Sequence, residues 1–104
     1  MLIVVQERNK IINSKDFVHV YSDRYYYKED DDCMWSDYYV QENLDEFPDI
    51  KEYKTVWIII NNRCEELGRY NSKEATEYAM DKLLNSKFPI FFMPKDNGDK
   101  YGIK

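Results

Sequence analysis

Glycine is scarce in this chain of 104 residues: three in all, none spaced to cradle a phosphate. A single histidine, His19, leaves no Ser/His/Asp or Cys/His arrangement to assemble. It reads as a strand residue and not as a general base or metal ligand, because no second histidine or acid stands at ligand spacing. The two cysteines, Cys33 and Cys64, are too few and too far apart for a disulfide framework. They read as inert packing thiols in a reducing, cytoplasmic setting. No long hydrophobic run exists either; the longest, residues 56–60, is far too short to span a bilayer, and the apolar start lacks the features of a signal peptide. Basic charge is in the minority, with 15 Lys and Arg against 20 Asp and Glu and a net charge of −5. That balance excludes direct nucleic-acid binding through phosphate neutralisation.

What the chain has instead is acid and tyrosine, concentrated in residues 21–53. Eleven acids there face three bases, Arg24, Lys28 and Lys51, leaving the stretch at −8 and the remainder of the chain at +3. Among the acids, Asp30-Asp31-Asp32 is the densest run. It does not make a calcium loop, since residues 30–41 hold neither the central glycine nor the closing glutamate that such a loop needs. Charge sets long-range attraction and Tyr or Trp supplies rigid anchoring area, so acid interleaved with aromatics is a binding-surface composition. The candidate partner-binding residues are Tyr25, Tyr26, Tyr27, Glu29, Asp30, Asp31, Asp32, Trp35, Asp37, Tyr38, Tyr39, Glu42, Asp45 and Glu46. No catalytic residue, metal or cofactor is expected.

At 43% hydrophobic and 34% charged, the chain has the composition of one soluble globular domain. Residues 2–5 read as a strand, with residues 11–12 a short return, and residues 17–21 as a second strand. Residues 25–27 and 35–40 are expected to form a long hairpin around the exposed turn 29–33, followed by a loop or short helical turn over 42–49. The run KTVWIIIN, residues 54–61, is the strongest strand, apolar on both faces and therefore central. Asn61-Asn62-Arg63 is a turn, and residues 64–70 pair back, with Gly68 marking a bulge or a close backbone approach. Asn71 or Ser72 caps a helix over 73–86 whose stripe is Ala75, Ala79 and Leu83, widened by Met80. A last apolar strand covers 88–93. The expected fold is α+β, an antiparallel sheet with one helix packed across it and an acidic, Tyr-rich insertion. The division is a core of residues 1–21 and 54–94, the insertion 22–53 and a polar tail 95–104.

The pattern Leu67-Gly68-x-Tyr70-x-Ser72-x-Glu74-Ala75, then Leu83-Leu84 and Phe92-Met93-Pro94, resembles a group of small proteins encoded by phages and prophages of Gram-positive bacteria. The opening MLIVVQ with Asn13 is similar to theirs, so the resemblance covers residues 1–21 and 54–94. It implies a strand–turn–helix–strand scaffold and a bacterial host cytoplasm, with residues 22–53 longer and more acidic than such proteins carry. A phage setting implies a basic host protein as partner, such as a CRISPR effector or other nuclease, inhibited in the manner of an anti-CRISPR by nucleic-acid mimicry or steric blocking. Alternate side chains of a strand stand about 6.5 Å apart on one face, so strand-borne carboxylates can take the place of phosphates in a basic groove. The alternative is a non-enzymatic interaction module, structural or regulatory, acting as a homodimer or in phage assembly through Tyr-rich edges.

Overall fold

The β-branched run 54–61 forms the central strand around which the rest is placed. A computed structural model describes residues 1–16 and 19–96. In it the chain runs β1 (Leu2–Val4), β2 (Ile11–Asn13), β3 (Val20–Tyr27), β4 (Met34–Ser36), α1 (Asp37–Glu42), β5 (Lys54–Asn61), β6 (Glu66–Tyr70), α2 (Lys73–Leu84) and β7 (Ile90–Phe92). Turns of 3-10 helix cover Ser14–Asp16, Leu44–Glu46 and Ile50–Glu52. The strands form two sheets, β4-β3-β5-β6 and β2-β1-β7. The first is antiparallel throughout; in the second, β1 pairs antiparallel with β2 and parallel with β7. The α+β class therefore holds, but as two sheets with a parallel pair.

Gln6 joins the sheets. Its backbone N–H donates to the Leu67 carbonyl at 2.9 Å, and its side-chain amide exchanges two bonds with the Arg69 backbone, at 2.8 and 2.9 Å. The amide thus continues the ladder where β1 has ended.

Between the sheets and α2 lies the main core: Ile3, Val5, Ile12, Ile59, Leu67, Tyr70, Met93 and the helix stripe Ala75, Ala79 and Leu83. Small alanines let the helix approach β5 and β6 closely. Ser72 caps the helix, accepting from the Ala75 N–H at 3.1 Å. Asn71 does not cap; its own N–H donates to the Asp96 carboxylate at 2.8 Å. The helix ends at Leu84, two residues before the expected end, where the Asn85 N–H returns to the Asp81 carbonyl.

Both readings of Gly68 hold. The β5–β6 register shifts between Ile59 and Ile60, opposite this glycine. A Cβ on Gly68 would lie 2.9 Å from the Tyr70 hydroxyl and 3.0 Å from its ring. Tyr70 is fully buried and donates to the Pro94 carbonyl at 2.7 Å, so it has nowhere to retreat. Gly68→Ala should destabilise by about 1–3 kcal/mol, as overpacking does. An unchanged denaturation midpoint would show that the Tyr70 ring can move.

The turn at 61–65 is built by Asn61, buried and accepting from the Arg63 and Glu65 N–H groups at 3.0 and 2.9 Å. Cys64 takes a left-handed φ of 61° to close it.

Three expectations are corrected. Residues 35–40 are not one strand arm: β4 stops at Ser36, whose hydroxyl accepts from the Tyr39 N–H at 3.2 Å and starts α1. A capping serine followed by an acid favours a helix turn over β continuation. The boundary at residue 22 divides nothing, because β3 pairs with β5 along its whole length, from Val20↔Asn61 to Tyr27↔Lys54. Third, Cys33 and Cys64 are exposed and pack against no core. Of the strand expected at 17–21, residues 17 and 18 lie outside the described residues, as does the tail from 97 onward; His19 is exposed and precedes β3. No helix among the described residues is long and apolar enough to cross a membrane.

Candidate protein-binding surface

Strand alternation splits the three consecutive tyrosines. Tyr26 points to the face that carries the helices, while Tyr25 and Tyr27 point to the other. Tyr26 is 8% exposed and sits in a second core with Val40 and Phe47, to which Trp35, Ile50 and Tyr53 add partly buried area. The rings interlock: Trp35 stacks on Tyr39 at 5.2 Å, and Phe47 meets Trp35, Tyr39 and Tyr53 edge-on at 5.7, 6.0 and 6.0 Å. Tyr26 is therefore withdrawn from the candidate contacts: its ring holds the acidic end together. Trp35 has the same structural task.

A polar knot closes this core. Asp37 accepts from the Tyr26 hydroxyl at 2.8 Å and from Arg24 at 3.3 Å. Arg24 lies over the Tyr26 and Trp57 rings at 5.2 and 6.0 Å, and among the described residues its buried Nε has no hydrogen-bond partner. Desolvation alone would raise the Asp37 pKa, but bonds from Tyr26, Arg24 and Gln41 hold it below the usual carboxylate range. Burial, then the Asp37 bond, pushes the Tyr26 phenol up. Asp37 is thus a neutralised, structural acid and adds little to the outward field.

The loop between β3 and β4 is pinned at its base. Lys28 bonds to Asp49 at 2.7 Å and covers the Tyr53 ring at 4.8 Å, tying the loop to the second core. Glu29 pairs with Lys54, and each member of these two pairs shifts its partner toward the charged form. Within the loop, the Asp31 N–H returns to the Lys28 carbonyl at 3.1 Å and the Asp31 carboxylate accepts from the Cys33 N–H at 3.0 Å. Asp31, beside the Cys33 thiol, also pushes that thiol up, away from thiolate reactivity. Asp30 and Asp32 are exposed and make no side-chain hydrogen bond or ion pair among the described residues. Residues 28–30 line a shallow depression with Glu52 and Lys54.

On α1 and the turn after it, Tyr38, Glu42, Leu44, Asp45 and Glu46 are all exposed, and among the described residues Glu46 alone of these side chains has a hydrogen-bond partner, the Tyr39 hydroxyl at 3.5 Å. Tyr25 and Tyr27 share a different surface. With Tyr21, Asp23, Met34, Val56, Ile58 and Ile60 they form the sheet face opposite both helices. Burial first, then the nearby Asp23 charge, raises the Tyr25 pKa, so that phenol remains a neutral donor.

The fourteen candidate residues therefore fall into four places. Glu29 to Asp32 form the pinned loop; Tyr25 and Tyr27 lie on the sheet face opposite the helices; Tyr38, Tyr39, Glu42, Asp45 and Glu46 lie along α1 and its turn; Tyr26, Trp35 and Asp37 are internal supports. Sequence reasoning missed Tyr21, Asp23 and Met34 as members of that face and Glu52 at the loop depression. The period-2 alternation running back from Tyr25 to Tyr21 was the signal for two of them. Chemically the arrangement offers fixed negative charge flanked by phenols and apolar area. Among the described residues no three His, Cys, Asp or Glu side chains converge as metal ligands would. Comparison with known protein families, curated proteins and solved structures finds no match for this chain.

Proposed function

We propose that this chain is a non-enzymatic acidic binding protein that occupies the nucleic-acid-binding surface of a basic partner protein and so inhibits it. The observation that carries the reading is the β3–β4 loop: unpaired aspartates displayed on a backbone fixed by Lys28–Asp49, Lys54–Glu29 and an aromatic core. A carboxylate run held in place loses little conformational freedom on binding, unlike the same run on a mobile tail. Its field steers a basic surface toward it, and the partly exposed Tyr25 and Tyr27 on the strand that leads into it supply contact area after encounter. The resemblance to phage-encoded proteins makes a host defence nuclease, a CRISPR effector among them, the partner class, and the bacterial cytoplasm the place of action.

Reversal of the loop charge tests this. Asp30→Lys, Asp31→Lys and Asp32→Lys together should reduce the association rate for the partner by one to two orders of magnitude at low salt. The difference should shrink as salt shortens the screening length toward about 3 Å. Stability should change little, since all three side chains are exposed and the one side-chain bond lost is that from the Cys33 N–H to Asp31. Surface-plasmon kinetics with competing DNA or RNA is the measurement. Unchanged affinity on triple reversal, with no competition by nucleic acid, would rule out mimicry.

A further inference from the structure

The sheet β2-β1-β7 has an outer face on which Leu2, Ile11, Ile90 and Phe92 are exposed, while Val4, between Ile11 and Phe92, is buried by its neighbours. Pairing places Leu2 beside Asn13 and Ile90, and Val4 beside Ile11 and Phe92, so these side chains share one face, while Ile3, Ile12 and Phe91 turn inward to the core. Ile11 is 62% exposed and Phe92 57%, and Leu2 and Ile90 are also exposed. Cations stand at the strand ends around this face. Arg8 lies 5.3 Å over the Phe92 ring while donating to the Val5 and Met93 carbonyls at 3.2 and 2.8 Å, Lys10 precedes Ile11, and Lys15 follows β2. Of these, Lys10 is paired, with Glu65.

The α1 end has the complementary character. Tyr38 and Leu44 are 73% and 54% exposed, and Glu42, Asp45 and Glu46 surround them in sequence. One end of the molecule is thus apolar with cations at its rim, the other apolar with acids. Strand addition at the β7 edge is a poor substitute, because Pro89 and Pro94 bracket the edge and leave it only a few residues long. Pairing the outer face with its own copy across a two-fold axis would set cationic rim against cationic rim. We infer that this face binds the acidic α1 end of a second copy, a head-to-tail contact in which Leu44 and Tyr38 cover Ile11 and Phe92 while carboxylates meet Arg8 and the rim lysines. Such a contact is heterologous, so it continues into short chains or closes into a ring. It leaves the 30–32 loop outside the contact and does not depend on which basic partner the loop engages.

The test is sedimentation velocity at low and high salt with two surface variants, each checked for folding by circular dichroism. Wild-type chain should self-associate with concentration, and high salt should weaken that association about tenfold or more. Phe92→Asp and Leu44→Lys should each lose association at least tenfold when alone. Mixed in equal amounts they should form one-to-one dimers, because the first keeps its acidic end and the second its apolar face. Should Phe92→Asp fail to fold, Ile11→Asp takes its place. A wild-type chain that stays monomeric at about millimolar concentration overturns the inference. So does a Leu44→Lys chain that dimerises like wild type, or a pair of variants that mixing does not rescue. Each of these outcomes leaves the loop-charge experiment free to succeed or fail separately.

Discussion

Replacing Tyr26 by alanine lowers the unfolding free energy by about 3–5 kcal/mol, the cost of deleting a large buried ring. The ring is buried with Val40 and Phe47, and its hydroxyl is one of the donors that satisfy Asp37. Alanine removes both, leaving a cavity beside a carboxylate with fewer partners. Tyr26→Phe keeps the packing and should cost less, about 1–3 kcal/mol, for one hydrogen bond lost to a charged acceptor that keeps Arg24 and Gln41. Tyr38→Ala is the control from the same short stretch: its side chain is largely in solvent, and stability should move by no more than about 0.5 kcal/mol. Urea denaturation of the three variants checks the ordering. If Tyr26→Ala matches Tyr38→Ala, the ring is a surface anchor after all and the second core has been assigned wrongly. If the expected ordering holds, any loss of partner binding in Tyr26→Ala follows from loosening of the loop support.

Leu83→Ala should cost about 2–5 kcal/mol by the same cavity argument applied to the main core. Leu83 is 3% exposed and packs with Ile3, Ile59 and Tyr70 under α2, whereas the adjacent Leu84 is 69% exposed. Leu84→Ala should therefore change stability by only a few tenths of a kcal/mol. The neighbouring leucines differ by one step of about 100° around the helix, so the pair measures its orientation. Equal effects from both would mean that α2 is rotated, or that its outer side is covered in solution. Unaltered stability in Leu83→Ala, with partner binding lost, would make α2 an interface.

Periodicity made α2 legible, because it repeats its apolar pattern over enough residues to define a face, and an unbroken apolar run made β5 legible as the central strand. Gly68 was legible for a local reason: a strand residue without a side chain implies a close neighbour, and Tyr70 is that neighbour. The partition of the acidic segment was harder to read. Tyr25-Tyr26-Tyr27 look alike in composition, and only the pairing of β3 with both β4 and β5 shows that the middle ring is internal. Residues 35–40 carry strand-forming side chains, yet Ser36 starts a helix, since a satisfied cap outweighs a weak β-preference over so few residues. The parallel β1–β7 pair depends on contacts across nearly the whole chain, which no local window reports. Charge counting also hides pairing: Glu29, Asp37 and Asp49 are as acidic in sequence as Asp30 and Asp32, but each has a cation within bonding reach.

The most direct test of the binding proposal is capture from a bacterial lysate on immobilised chain, run beside the Asp30/Asp31/Asp32→Lys variant and eluted with DNA or RNA. The account predicts that wild type retains nucleic-acid-binding proteins, that added nucleic acid releases them, and that the charge-reversed chain does not hold them. Retention of the same proteins by both chains, with no release by nucleic acid, would contradict it.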